Sequence, residues 1–255
     1  MEQQKASYDG LECEVSDLQA QLEKCQAELI QSRKEFVDFA SVVAHDLRSP
    51  LLTISGYCDL LRHECKGQLS QSTDQYLCSI GDAVERMNRL LQDLLRYAQL
   101  PHSSCSSEKI ALDQVLQDVI NNLNAVIRES DAKIEIGELP AVTGDRTRFV
   151  QLFQNLIDNA IKFRGAQRPE IHIYSSRKAN GHVLHVTDNG TGIDPKYHEE
   201  VFRILHRLPE SRSIPGSGIG LAICKRIVDG YQGRIWIESS KDGGTTFQVW
   251  LPATE

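Results

Sequence analysis

Apolar residues recur along the first part of the chain in alternating steps of four and three: Leu11, Val15, Leu18, Leu22, Cys25, Leu29, Ser32, Phe36, Phe39 and Val43. Heptad spacing keeps one apolar seam of a helix turned toward a partner helix, so a coiled coil is predicted, with Cys25 and Ser32 as its weak positions. A second heptad run, Leu77, Ile80, Val84, Met87, Leu91, Leu94 and Ala98, follows a polar break from Lys66 to Thr73. Two such helices joined by a short turn form an antiparallel hairpin, and hairpins from two copies close a four-helix bundle. A homodimer is therefore expected; the alternative is a helical domain that buries both seams within one chain.

Beyond the second run the period changes. Leu100 to Glu108, with Pro101 and serines on both sides of Cys105, has no periodicity and reads as a linker. Next come a helix near Leu112 to Ser130, short strands near Lys133 and Ala141, and a helix opened by Asp145, a good N-cap residue. Strands follow at Glu170 to Ser176 and His182 to Thr187, then a helix from Ile219 to Tyr231 and a closing pair, Arg234 to Glu238 and Thr246 to Leu251. This mixture predicts a two-layer α/β sandwich. The fold class is thus α+β: a coiled coil over 1–35, a dimerisation hairpin over 36–100, a linker over 101–108 and the sandwich over 109–255.

Composition narrows the function. The chain has 255 residues, a hydrophobic fraction of 40% and a formal charge of -7. It can supply a sizeable core, and its acidity argues against a nucleic-acid binder, which needs basic patches for phosphates. Seven scattered cysteines without a CxxC pair suggest neither a disulfide framework nor a zinc site. No apolar run reaches the roughly 20 residues of a membrane helix. A cytoplasmic protein without direct membrane insertion is expected.

Candidate chemistry sits in four places. His45 lies two residues past Val43, so about 100° per residue turns it from the seam toward water. Asp46 beside it can bond one ring nitrogen and leave the other as a nucleophile, and Pro50 should kink the helix nearby. On the helix after Asp145, Asn155, Asn159 and Lys162 form one stripe beside the apolar face of Phe149, Phe153, Leu156 and Ala160. Amide oxygens in mid-helix can ligate Mg²⁺ when nucleotide phosphates complete its shell. Asp188 ends a strand whose Leu184 and Val186 share its face. Its carboxylate suits the amino group of adenine, with Gly190 and Gly192 allowing close approach. Finally, Gly216, Gly218 and Gly220 precede a helix, where backbone N–H groups can bind phosphate.

Taken together, His45-Asp46-Leu47-Arg48-Ser49-Pro50, Asn155-Leu156-Ile157-Asp158-Asn159, Asp188-Asn189-Gly190-Thr191-Gly192 and Gly216-Ser217-Gly218-Ile219-Gly220 resemble the sensor histidine kinases of two-component signalling, from about Phe36 to Pro252. The resemblance implies that His45 is the phosphorylated histidine and Asp46 its base. Asn159 would hold the Mg²⁺ of Mg-ATP, Asn155 and Lys162 would lie toward the phosphates, Phe163 would stand in the nucleotide wall, and Arg207 would aim at the terminal phosphate. It also implies a response regulator receiver domain as partner, with an upstream sensor domain or protein absent from this chain. Leu205 departs from the phenylalanine common in the family's lid box, and Ser49 from the usual Thr or Asn. The alternatives are a silent dimeric scaffold for a response regulator, or an ATPase of the gyrase and chaperone type. Those ATPases carry a glutamate where this chain has Asn155, an amide that cannot take a proton at neutral pH.

Overall fold

The computed structural model describes residues 2–66, 69–100, 108–178, 180–209, 214, 216–239 and 243–253, without the side chains of 2–15 and 33. Helix α1 (Glu2–Glu64) is continuous through Pro50, so the expected kink does not end it. Helix α2 (Gln71–Gln99) starts earlier than its polar first turn suggested. Ser70 caps it, its Oγ accepting the Thr73 N–H at 3.1 Å, so these polar residues start the helix instead of breaking it. Arg62 and Asp74, 3.2 Å apart, tie the two helices together beside their turn, while residues 67 and 68 of that turn lie outside the described residues.

In α2 the predicted seam is divided between two faces, and in α1 the buried side chains lie beside the predicted seam and not on it. Ala40, Ala44, Leu51 and Cys58 of α1 are buried together with Leu77, Val84 and Ala98 of α2. Phe36, Phe39, Leu47, Ile54 and Leu61 of α1 stay exposed, as do Ile80 and Met87 of α2. Each helix of a four-helix bundle meets two neighbours, so α2's heptad run serves both, whereas α1 turns one face to α2 and carries its predicted seam on another. The second face is the one a second copy would cover.

The linker residues 101–107 lie outside the described residues, and a strand missed in the sequence, β1 (Glu108–Ala111), follows them. The predicted helix from Leu112 to Ser130 is two helices, α3 (Leu112–Asn122) and α4 (Asn124–Ser130), because Leu123 leaves helical geometry at φ -95°, ψ 5°. Strands β2 (Lys133–Ile136) and β3 (Ala141–Gly144) come next, and β1 pairs with β3 antiparallel. After α5 (Arg146–Lys162) come β4 (Glu170–Lys178), β5 (Gly181–Asp188), α6 (Gly220–Gly230), β6 (Arg234–Ser239) and β7 (Thr245–Pro252). The five-stranded sheet runs β2-β4-β5-β7-β6, parallel only between β2 and β4.

Helices α3, α5 and α6 cover one face of this sheet, giving the two layers. The inner side of α5 buries Phe149, Leu152, Phe153, Leu156, Ile157, Ala160 and Ile161, each large side chain contributing about 1.5–3 kcal/mol over exposure. Asp145 starts α5 as predicted: its Oδ1 accepts the Thr147 N–H at 2.8 Å, and its own N–H donates to the Tyr231 hydroxyl at 2.9 Å. The end of α2 joins the same core through Leu94, Tyr97 and Leu100. Among the described residues no helix is long and apolar enough to cross a membrane.

Candidate functional site

A cavity of about 1320 Å³ opens between α5, the end of β5, the loop before α6 and one side of α2. Every nucleotide-site residue nominated from the sequence lines it except Gly190: Asn155, Asn159, Lys162, Phe163, Asp188, Gly192, Arg207, Gly216, Gly218 and Gly220. Four stretches far apart in sequence thus converge on one space. The periodicity of α5 explains its share, since burying one face turns Gln151, Asn155, Asp158, Asn159 and Lys162 toward the cavity.

Gly190 sits behind the wall. Its N–H donates to Asp188 Oδ1 at 2.8 Å, and a Cβ at this position would lie 2.6 Å from the Phe163 carbonyl oxygen. Gly190 was expected to face the site directly; it does not line the cavity, and its backbone N–H instead holds the Asp188 carboxylate that does. Thr245, which the sequence reading missed, donates its N–H to the same oxygen at 3.2 Å. The signal was the Gly243-Gly244 pair before it, both at positive φ, where a Cβ on Gly244 would meet the Asp188 carbonyl oxygen. Burial raises the Asp188 carboxyl to about 6, and these two N–H bonds offset only part of the rise.

On α5, Asn155 Nδ2 is buried beside the Cys224 thiol, with which its side chain interacts. Lys162 is ion-paired to Asp158, a second residue the sequence reading passed over. Among the described residues no group of three or more His, Cys, Asp or Glu could hold a metal. A hard cation held by the Asn159 amide oxygen would need further oxygens from a bound ligand and from water.

Across the cavity, Gly218 has φ +71° and a Cβ there would come within 2.8 Å of the His206 carbonyl oxygen, so only glycine fits this turn. A Cβ on Gly220 would lie 3.3 Å from Asn155 Oδ1, showing how closely the start of α6 approaches the α5 amide. The Arg207 guanidinium bonds the Ile214 carbonyl. Leu205, the departure from the common lid pattern, takes φ +61° and lies exposed at the cavity mouth, a conformation costing a non-glycine residue on the order of 1 kcal/mol. Most of the Ser/Pro/Gly-rich stretch that follows, residues 210–213 and 215, lies outside the described residues.

His45 and Asp46 do not line this cavity; they stand on the outer side of α1. The His45 side chain is 85% exposed, and its Nδ1 lies 3.2 Å from Asp46 Oδ1. A carboxylate accepts, so this contact favours the tautomer with the proton on Nδ1, which leaves Nε2 its lone pair. The structure therefore holds the imidazole and the cavity apart.

Two family models match the chain: the His Kinase A (phospho-acceptor) domain over residues 37–103, and the histidine kinase-, DNA gyrase B-, and HSP90-like ATPase over residues 144–255. The phytochrome-like protein Cph1 of Synechocystis sp. is 37% identical over 94% of this chain and 31% of its own length. The sensor protein kinase WalK of Staphylococcus aureus is 30% identical over 89% of this chain and 55% of its own length. The chain thus spans about a third of the phytochrome-like relative. Among solved structures, the mycobacterial sensor histidine kinase MprB is 28% identical with a TM-score of 0.51, over 57% of this chain and 97% of that one. The histidine kinase ThkA, in complex with the response regulator TrrA, shares the fold at a TM-score of 0.58 and 23% identity, over 85% of this chain and 61% of that one.

Proposed function

Because the chain belongs to the sensor histidine kinases of two-component systems, we propose that it transfers the terminal phosphoryl group of Mg-ATP to His45 and then to an aspartate of a response regulator receiver domain. The observation that carries this reading is the convergence of Asn155, Asn159, Lys162, Asp188 and the Gly216–Gly220 loop on one cavity. The exposed, Asp46-oriented imidazole lies elsewhere in the same chain.

The roles follow from chemistry. Asp188 accepts the adenine amino group through the carboxylate that Gly190 and Thr245 fix in place. Phe163 walls the base, and Asn155, Lys162 and Arg207 hold the phosphates. Asn159 would hold Mg²⁺, whose charge would help neutralise that of the phosphates. His45 Nε2 attacks the terminal phosphorus, the bond from that phosphorus to the bridging oxygen breaks, and ADP leaves with the electron pair. The Nδ1 proton is shared with Asp46 as positive charge builds on the ring. Positioning and charge neutralisation provide most of the rate in such a transfer.

Hydrolysis is the weaker reading, since Asn155 cannot activate water as a carboxylate would. The homodimer is proposed to form through the exposed face of the hairpin. Asn159→Ala tests the nucleotide half of this account: it should abolish phosphorylation of His45 while leaving the dimer intact, and labelling at the normal rate would refute the metal assignment.

A further inference from the structure

Three arginines of α2, Arg86, Arg89 and Arg96, line the wall of the cavity opposite α5, against one acid on that helix, Asp93. Two of the three are engaged. Arg89 reaches Glu85 Oε2 at 4.0 Å and donates from Nε to the Glu85 carbonyl at 3.4 Å, and Arg96 lies 3.8 Å from Asp93. Arg86 pairs with no carboxylate among the described residues. The cavity is also larger than a single small-molecule pocket of about 300–1000 Å³, because the helical hairpin supplies a wall of its own.

That wall is held in place. The Arg226 guanidinium of α6 lies 4.5 Å from the centroid of the Tyr97 ring, and its Nε–H donates to the Leu100 carbonyl at 3.1 Å. Ala98 and Leu100 are buried at the same junction. Arg86 is eleven residues before Tyr97 on the same helix, about 16 Å away at 1.5 Å per residue, and it is an exposed side chain where α2 lines the cavity.

We propose that Arg86 is a further phosphate ligand of the nucleotide site, so that the hairpin forms part of that site and nucleotide binding and α2 docking strengthen each other. A guanidinium with no carboxylate partner, facing a site for a polyphosphate, gains charge-assisted hydrogen bonds only when the ligand is present. By linkage, whatever affinity the docked helix adds for nucleotide, the nucleotide adds for docking. The inference rests on the ATP reading of the cavity and adds to it the hairpin as a ligand-bearing wall.

Calorimetry on the full chain with Mg²⁺ and AMP-PNP, ADP or adenosine, for wild type, Arg86→Ala and Arg86→Lys, tests it. Arg86→Ala should weaken AMP-PNP at least tenfold and ADP less, with adenosine unchanged and Arg86→Lys intermediate. Amide exchange across residues 86–98 should slow on adding AMP-PNP to wild type and not to Arg86→Ala. If wild type binds AMP-PNP and Arg86→Ala binds it equally well, the proposal falls while the ATP reading stands. If wild type binds no nucleotide at all, both fall.

Discussion

Arg226 of α6 and Tyr97 of α2 are stacked, guanidinium over ring at 4.5 Å, and the same guanidinium accounts for the Leu100 carbonyl that α2 leaves behind at its C-terminus. One side chain thus joins the helical hairpin to the sandwich. Removing it should cost about 1–2 kcal/mol of local stability. In Arg226→Ala, amide exchange is expected to quicken several-fold at Ala98 and Leu100 and to stay unchanged in β5 and β7. Uniform quickening across the sheet would show that the contact supports the whole fold and not the junction.

Asp188 gives the site a pH dependence of defined sign. Its carboxyl titrates at about 6 in the folded protein because it is buried, so the folded state holds this proton more tightly than the unfolded chain does. Its contribution to stability is full below about pH 4 and disappears as the pH rises through about 6, a penalty on the order of 2 kcal/mol at neutral pH. The adenine amino group needs the ionised form. Nucleotide affinity should therefore fall as the pH drops below about 6, with proton release on binding near that pH. Asp188→Asn should raise thermal stability at pH 7.5, lower affinity at least tenfold and flatten the profile between pH 5 and 7, all readable by calorimetry.

Gly190 is predicted to be intolerant for a steric reason. A Cβ there meets both the Phe163 carbonyl oxygen at 2.6 Å and Asp188 Oδ1 at 2.8 Å. Gly190→Ala must displace the carboxylate or the loop, at about 1–3 kcal/mol, and should weaken nucleotide binding more than tenfold. At Gly165 nothing lies within 4 Å of the added carbon, so Gly165→Ala should melt and bind as wild type does. Titration with a fluorescent nucleotide distinguishes the two.

The exposed hairpin face predicts the oligomeric state. Phe39 and Ile80 are 66% and 42% exposed in the single chain although both sit on heptad positions. Placing a charge on each, Phe39→Asp with Ile80→Asp, should yield monomers in sedimentation experiments at micromolar concentration while nucleotide binding persists. A dimer of unchanged stability would move the interface to the residues before Phe36.

Much of this was legible in the sequence, for reasons specific residues make plain. Asp145 declared the start of α5 because its side chain bonds a backbone N–H within its own turn, and the Asn155, Asn159 and Lys162 stripe followed from helical period alone. Leu123 hid the break between α3 and α4, since its neighbours continue the apolar pattern and only tertiary packing turns the chain there. The four residues of β1 are too few for a period, and their pairing with β3 is long-range. Gly190 was assigned to the nucleotide because spacing shows that a glycine is needed, whereas only coordinates show that it stands behind Asp188. Thr245 and α2's arginines reach the cavity from elements remote in sequence, which no local pattern encodes.

The most direct test of the central claim is incubation of the intact protein and of His45→Gln with γ-labelled ATP and Mg²⁺, followed by acid and base treatment of the labelled protein. Phosphorus on an imidazole nitrogen predicts a label lost in acid, retained in base and absent from His45→Gln, with nucleotide affinity of the variant unchanged. Equal labelling of His45→Gln, or rapid release of free phosphate without protein label, would contradict it.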